Sequence, residues 1–374
     1  MIHKQIVIDA IKSLKNHPFT VIQLSDKEKF HTGMLCYTLN RYPSLFKTLF
    51  GLNDKKNKAS VEENSVDLII RDKDNNIKVV VESKFKTGVH KSPATKEVRE
   101  KGKLDSTTKY ICQLEKMEIL YGLKKNDVVI KKYFISIFKK SDLSKEWNQL
   151  LFTGKTLSSL KDLMINIKDT SKAHLILLWI DYLEKLKVIV DYFIENKMTC
   201  INLKNSVPPD NSSLSGLLKG IKLNGVFESY RYGLVQQIVK KNLSDKIRNL
   251  LKISCKNRNE LEQVGMLFNT RGNGGIHYAF GGNEKSSFGI QWQGVLKLFI
   301  ETENKSSKTC VETIYKKLLG VESLKHPSLG KFSSITIKND WDIYGNIKER
   351  PEVIVKYLEL LNHPDILKIV KKQE

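Results

Sequence analysis

The chain has 374 residues, 40% of them hydrophobic and 28% charged, which is typical of a globular protein with room for two domains. Its 63 Lys and Arg against 41 Asp and Glu give a net charge of +22, which favours a polyanionic partner, nucleic acid first and a membrane surface second. Five scattered cysteines form no Cys-x-x-Cys pair, so neither a zinc site nor a disulfide framework is indicated, and a reducing, cytoplasmic setting is expected.

No targeting or membrane-spanning segment is expected. The start, Met1-Ile2-His3-Lys4, leads into charged residues rather than a long apolar run. The most apolar predicted helix, around 173–194, is interrupted by charged side chains and is therefore not expected to span a membrane.

The first well-marked element is a helix that begins near Ser25. Ser25-Asp26-Lys27-Glu28 has the spacing of a capping box and predicts a helix that runs to about Arg41, before Pro43. Composition alone favours Glu28 as a helix cap and His31 as a surface or packed histidine.

Residues 66–86 predict a β-hairpin, because two β-branched runs flank a polar Asp/Asn cluster. A turn centred on Asp74-Asn75 would place Asp67 opposite Glu82. Strand side chains alternate between faces, so Lys84 would share the face of Glu82.

The hairpin therefore predicts a convergence of two carboxylates and one amine. Like charges that lie opposite each other destabilise a sheet, so a cation is expected between Asp67 and Glu82. That cation is either Lys84 or a metal such as Mg²⁺, which takes one or two protein carboxylates together with water and substrate phosphate. A surface hairpin with a solvated salt bridge is the alternative.

The following segment is strongly basic: residues 84–145 carry 16 basic and seven acidic side chains. A helix is predicted from about Thr95 to Tyr121, a strand over 131–138 beside the Glu82 strand, and helices at about 156–166 and 172–197. This order predicts an α/β fold with a central mixed β-sheet flanked by helices.

Beyond the Pro-, Asn- and Ser-rich segment 201–215, which is the best linker candidate, an α+β C-terminal domain is expected over 216–374. It would begin with a basic helix at 228–252 and continue with Gly-punctuated strands at 264–268, 275–280, 287–293 and 295–301. Helices are predicted at about 308–319 and 350–372. No carboxylate cluster or His pair there has ligand spacing, so its role, DNA or partner binding among them, stays open.

The hairpin motif, Asp67 with Glu82-Ser83-Lys84, resembles the PD-(D/E)XK nuclease superfamily. Within it, the chain is similar to a bacterial branch with a Glu-x-x-His-(Ser/Thr) helix, here Glu28 to Thr32, and a Gln-Leu helix after the hairpin, here Gln113-Leu114. A strand, a Trp-containing turn at Trp147 and two helices follow in the same order. The resemblance covers about residues 20–197. Val66 stands where Pro is frequent, Met117 where Tyr is usual, and the gap from Lys84 to Gln113 is long.

The resemblance implies a restriction-endonuclease-like core in a nuclease-like domain over residues 1–200. It implies that Asp67, Glu82 and Glu28 bind Mg²⁺, with Mn²⁺ as a substitute, that Lys84 holds the attacking water, and that Gln113 orients it or contacts the phosphate. The expected function is hydrolysis of phosphodiester bonds in DNA, with RNA less favoured, in restriction or phage defence. A nucleic-acid-binding module that uses the same core for docking is the alternative, and a homodimer is left open.

Overall fold

The computed structural model describes residues 2–53, 56–63, 66–85, 91–93, 96–104, 110–120, 130–139, 143, 145–167, 170–201, 213–227, 230, 234, 274–279, 287–292, 296–320, 332–338 and 364–365. The chain divides into two compact units, Met1–Lys197 with Asn205–Phe227 and Met198–Lys204 with Glu228–Glu374. Residues 216–227 thus belong to the first unit, whereas a boundary at 201–215 was expected. A helix at Leu214–Gly220 contacts the first helix of the chain, Lys4–Lys15.

The helices of the first unit are α1 (Lys4–Lys15), α2 (Pro18–Val21), α3 (Glu28–Arg41), α4 (Ser44–Phe50), α5 (Lys96–Gly102), α6 (Gln113–Leu120), α7 (Leu157–Ile165), α8 (His174–Glu195) and α10 (Leu214–Gly220). A further short helix, α9 (Lys197–Ile201), crosses the boundary between the units. The strands are β1 (Lys58–Glu63), β2 (Val66–Arg71), β3 (Ile77–Lys84), β4 (Lys91–Pro93), β5 (Tyr110–Cys112), β6 (Lys131–Ser136) and β7 (Trp147–Leu151).

The central sheet has five strands in the order β1-β2-β3-β6-β7. The first three strands are antiparallel neighbours, whereas β6 lies parallel to β3 and β7 parallel to β6. The sheet is therefore mixed and helices flank it, as the α/β prediction states. The carboxyl ends of β3, β6 and β7 lie at the same edge of the sheet.

The hairpin between β2 and β3 has the predicted register. Leu68 pairs with Val81 and Ile70 with Val79, and a one-residue shift follows between Ile70 and Arg71. The side chain of Asp72 stabilises the turn by accepting hydrogen bonds from the backbone N–H groups of Asp74 and Asn76, at 3.0 and 2.9 Å. Asn75 adopts a left-handed φ of 67°, which Asn tolerates.

Both faces of the hairpin are buried, which goes beyond the one apolar face that alternation predicted. Ile69 and Val80, which share a face with Asp67 and Glu82, are fully buried. They pack in one cluster with Leu114 and Met117 of α6 and with Phe134 of β6. Helix α6 therefore covers the face that carries the acidic residues, and only the edge of that face is left for a site.

Two predicted elements were wrong. The helix expected from Thr95 to Tyr121 is divided into α5, β5 and α6, and β5 pairs with β4. Trp147, expected in a turn, begins strand β7. In strand β1, the backbone N–H and carbonyl of Ala59 form two hydrogen bonds with the side-chain amide of Asn40.

The second unit contains strands β8 (Gly274–Ala279), β9 (Ser287–Trp292), β10 (Leu296–Glu301) and β11 (Phe332–Lys338) and helix α11 (Lys305–Leu319). They form a four-stranded sheet in the order β11-β10-β9-β8, which packs against α11. Its described part is α+β, as expected. The strand predicted at 264–268 lies outside the described residues, and so does nearly all of the helices predicted at 228–252 and 350–372. Among the described helices of the chain, none is long and apolar enough to cross a membrane.

Candidate active site

The hairpin brings Asp67 of β2 next to the end of β3. The register that pairs Leu68 with Val81 leaves Asp67 level with Glu82. The carboxylate of Asp67 accepts a hydrogen bond from the backbone N–H of Ser83, with an Oδ2–N distance of 2.7 Å. This hydrogen bond joins the Asp67 carboxylate of β2 to the backbone of β3. Lys84 is therefore not the only group that holds the carboxylate in place.

Lys84 is the centre of the site, because its ammonium group lies among three carboxylates. Its Nζ lies 2.6 Å from Glu82 Oε1, 2.9 Å from Glu28 Oε1 and 3.9 Å from Asp67 Oδ2. Lys84 is 6% exposed and Glu82 fully buried, whereas the side chains of Asp67 and Glu28 are 23% and 28% exposed. The solvated surface salt bridge proposed as an alternative is therefore wrong for this cluster, which is buried with two carboxylates reaching towards solvent.

Glu28 reaches this cluster from helix α3 and does not act as the cap that its spacing predicted. The helix begins at Glu28, its N-cap residue is Lys27, and no side chain caps it. The hydroxyl of Ser25, the expected cap, is buried and donates to the carbonyl of Ile221 at 3.4 Å. Glu28 Oε2 instead accepts from the backbone N–H of Phe85 at 3.2 Å. The capping-box prediction fails because a buried lysine and a strand-end amide offer Glu28 stronger partners than its own helix does.

Gln113 begins helix α6, which lies on the same sheet face as Glu82 and Lys84. Its side chain lies outside the described residues. The helix is anchored by buried Glu118, whose Oε1 accepts hydrogen bonds from Lys132 Nζ at 2.9 Å and from the Trp147 indole at 3.3 Å. This anchor fixes the position of the helix that begins with Gln113.

The electrostatics of the site follow from one cation among three acids. Burial, followed by the charge of Asp67, raises the pKa of Glu82 to about 8, although Lys84 opposes this shift. Burial also raises the pKa of Asp67. For Lys84, burial alone would lower the pKa, but the charges of Glu82, Glu28 and Asp67 outweigh it and raise the pKa above the usual value. The amine is therefore an ammonium at neutral pH, whereas Glu82 keeps its proton to a higher pH than an ordinary carboxyl group does.

Three side chains around Lys84 carry oxygen donors, which is the ligand type that Mg²⁺ prefers. Among the residues that the structure describes, no group of three His, Cys, Asp or Glu side chains is already arranged as a metal site, because the Lys84 ammonium lies between the carboxylates. The buried oxygen Glu82 Oε2 accepts no hydrogen bond from the described residues. A buried carboxylate oxygen without a donor, next to the partly exposed carboxylates of Asp67 and Glu28, is the oxygen-ligand chemistry that Mg²⁺ requires.

His31 lies beside the site in the core and is packed, as composition suggested. It is fully buried, and its ring stacks on that of Phe85 with a centroid distance of 3.8 Å. Nε2 lies 3.0 Å from the carbonyl of Ser25, and Nδ1 accepts from the Trp179 indole at 3.1 Å. Burial lowers the pKa of His31 to about 3, so the ring is neutral and both of its nitrogens are used.

Two backbone N–H groups that belong to the site were not predicted from the sequence. The N–H groups of Ser83 and Phe85 hold the carboxylates of Asp67 and Glu28. Their position was the only indication in the sequence: they flank Lys84 at the end of a strand. Backbone N–H groups there have no partner on a neighbouring strand and can donate to side chains.

Comparison with known proteins gives no relative: no protein-family model, no curated protein and no solved structure matches this chain. The site is therefore interpreted from its own geometry.

Proposed function

We propose that this chain is a Mg²⁺-dependent nuclease that hydrolyses phosphodiester bonds in DNA, and that its first unit has a restriction-endonuclease-like core. The observation that carries the proposal is the meeting of Asp67, Glu82 and Glu28 around Lys84 at one edge of a mixed sheet. The Asp and Glu-x-Lys residues come from adjacent strands and Glu28 from a separate helix. This combination agrees with the resemblance to PD-(D/E)XK nucleases, for which restriction or phage defence is the expected setting.

Three carboxylates would hold the cation: Glu82 and Asp67 directly, and Glu28 directly or through water. When bound, Mg²⁺ would supply charge neutralisation at the scissile phosphate and at the leaving oxygen. Glu82 gives the buried ligand, whereas Asp67 and Glu28 connect the site to solvent and so to substrate.

Lys84 acts as a donor in this scheme and not as a proton acceptor, since its pKa is raised. Its ammonium orients the attacking water by hydrogen bonding and stabilises the charge that develops on the phosphate oxygens. Gln113, at the start of α6, would provide a further polar contact to the water or the phosphate.

DNA is the proposed substrate because the chain carries a large positive charge, which favours a polyanionic partner. The net charge is +22, and the segment 84–145, which follows the catalytic hairpin, has a surplus of basic residues. Contacts of lysine with backbone phosphates give affinity that depends on salt and carries little sequence information.

The second candidate function is a nucleic-acid-binding module without cleavage. It is favoured by the position of the Lys84 ammonium, which already neutralises part of the carboxylate charge. Such a module would bind DNA in a salt-dependent way, and Mg²⁺ would have no effect on the integrity of the DNA.

A cleavage panel separates the two functions. Purified full-length protein is incubated with supercoiled plasmid, linear duplex, single-stranded DNA and RNA, with Mg²⁺ or with a chelator. Nuclease function predicts cleavage that requires Mg²⁺ and is abolished in Glu82→Ala and Lys84→Ala. Lys161→Ala is the control, because this exposed lysine pairs with Glu184 on the helix surface and lies outside the basic segment 84–145. Equal cleavage by the two site variants and the wild type would refute the assignment.

A further inference from the structure

A buried hydrogen-bond network surrounds the start of helix α3, whose first residue is Glu28. The carbonyl of Ser25, three residues earlier, accepts two hydrogen bonds, from His31 Nε2 at 3.0 Å and from the Tyr182 hydroxyl at 2.7 Å. Both His31 and Tyr182 are fully buried. The turn that leads into α3 is therefore held by groups in the core, whereas no side chain caps the helix itself.

The indole of Trp179 determines which nitrogen of His31 carries the proton. An indole N–H can only donate, and that of Trp179 lies 3.1 Å from His31 Nδ1, which must therefore accept. The proton of the neutral ring is then on Nε2, the nitrogen that faces the Ser25 carbonyl. Trp179 is fully buried and lies about one helical turn before Tyr182 on α8. Helix α8 thus holds the Ser25 carbonyl twice, directly through Tyr182 and indirectly through His31.

His31 also joins α3 to the end of strand β3. Its ring is parallel to that of Phe85, with an angle of 3° between the two planes and a centroid distance of 3.8 Å. Phe85 follows Lys84, and its backbone N–H donates to Glu28 Oε2. The ring stack therefore connects the same two segments that Glu28 connects through Lys84 Nζ and the Phe85 N–H.

Glu28 needs such support because of its place in the helix. The first N–H groups of a helix have no partner within it, so an uncapped first turn frays easily. The side chain of Glu28 is also 28% exposed, so water competes for its carboxylate. Metal-binding side chains are usually held by further hydrogen bonds behind them, and loss of such a bond typically weakens metal binding about 10- to 100-fold.

We propose that His31 is a positioning residue for Glu28, and that Trp179 keeps His31 in the tautomer that this role requires. His31 holds the turn before Glu28 through the Ser25 carbonyl, and it holds the neighbouring strand end through the ring of Phe85. This inference rests on the proposed nuclease function and extends it. The affinity of the centre for its divalent cation depends on α8, which supplies none of the proposed ligands.

The test is binding of Mn²⁺ to full-length protein without nucleic acid, measured from the EPR signal of the free ion. Trp179→Phe keeps a large buried ring but removes the donor to His31, so Mn²⁺ binding should be about tenfold weaker. Glu28→Gln should weaken binding by a similar factor, because a ligand charge is lost. Trp179→Phe should then add nothing in the Glu28→Gln background, since it acts through that carboxylate.

Tyr182→Phe is a second, independent variant of the same network. It removes the other donor to the Ser25 carbonyl and should also weaken Mn²⁺ binding, again only while Glu28 is present. It decides the question if Trp179→Phe does not fold.

The matched control is Ile189→Val, which removes one methyl group from a fully buried side chain on the same helix, about 15 Å along α8 from Trp179. It lowers stability but should bind Mn²⁺ with wild-type affinity. Wild-type affinity in Trp179→Phe, an equal loss in Ile189→Val, or the same effect of Trp179→Phe with and without Glu28 overturns the positioning role.

Plasmid cleavage with Mg²⁺ is measured in parallel, so that the two proposals can fail separately. If the wild type cleaves DNA while Trp179→Phe binds Mn²⁺ as the wild type does, only the positioning role is refuted. If the wild type binds Mn²⁺ without cleaving, and Trp179→Phe binds it about tenfold more weakly, the nuclease function is refuted and the positioning role stands. Absence of Mn²⁺ binding by the wild type would refute both.

Discussion

Replacing Lys84 with Met tests the electrostatics of the site, because Met has a similar length and removes only the charge and the donors. In the structure, the ammonium lies 2.6 Å from Glu82 and 2.9 Å from Glu28, and Lys84 is only 6% exposed. Loss of one partner from a buried ionic cluster destabilises a protein by about 3–5 kcal/mol, since the remaining charges stay buried without compensation. At pH 8 we expect Lys84→Met to lose stability of this order.

The assay is urea unfolding followed by intrinsic fluorescence, with and without Mg²⁺. A cation that binds only the folded protein stabilises it by about 2.7 kcal/mol at 100 times its dissociation constant. Mg²⁺ should therefore raise the urea midpoint of Lys84→Met at least as much as that of the wild type, because it replaces the missing positive charge. Cleavage should be absent in the variant even when Mg²⁺ has restored its stability.

The control is Lys101→Met, in which the lost partner is Glu97 on an exposed helix surface. Exposed pairs of this kind contribute about 0.3–0.5 kcal/mol, so its midpoint should hardly change. If Lys84→Met unfolds at the same urea concentration as Lys101→Met, and Mg²⁺ stabilises neither, the reasoning about the buried cluster is refuted.

Three further predictions concern residues around the cluster. Glu28→Gln keeps an acceptor for the Phe85 N–H but removes a ligand charge and one charged partner of buried Lys84, so half-maximal cleavage should need about tenfold more Mg²⁺ and the urea midpoint should fall; an unchanged Mg²⁺ requirement would exclude Glu28 from the site. The pKa of His31 is lowered to about 3, below its value of about 6.5 in the unfolded chain. The stability that the neutral buried ring contributes is therefore fully present above pH 6.5 and is lost as the pH falls towards 3. His31→Gln should flatten the pH dependence of the urea midpoint in that window, and an unchanged slope would contradict the assignment of a neutral buried ring. Glu118→Gln removes one of the two charged partners of buried Lys132, the other being Glu146, and should lower stability by about 1–3 kcal/mol in urea unfolding, whereas an unchanged midpoint would show that the pair does not anchor α6.

The hairpin was predictable from the sequence down to its register. Because both faces of the hairpin are buried, the alternation of apolar side chains alone does not specify the register. The polar turn at Asp72–Asn76 fixed the pairing of Leu68 with Val81. The convergence of Asp67, Glu82 and Lys84 follows from that register, which is why these residues could be named before the structure was known.

The position of Glu28 was not predictable from local sequence. Ser25 and Glu28 have capping-box spacing, but a cap contributes only about 1 kcal/mol, and the buried Lys84 ammonium competes for the same carboxylate. Only the resemblance to PD-(D/E)XK nucleases placed Glu28 near the site. The predicted helix from Thr95 to Tyr121 failed for a similar reason, since pairing of β5 with β4 outweighed local helix preference.

We propose that the carboxylates of Asp67, Glu82 and Glu28, together with Lys84, form a metal-dependent centre for phosphodiester hydrolysis. The most direct test is a Mg²⁺ titration of plasmid cleavage by wild-type protein and by Asp67→Asn, which keeps the side-chain size and an acceptor for the Ser83 N–H. We expect saturable cleavage by the wild type, none without metal, and none by Asp67→Asn at any Mg²⁺ concentration. Cleavage that persists in the chelator, or that is equal in Asp67→Asn, would contradict the account.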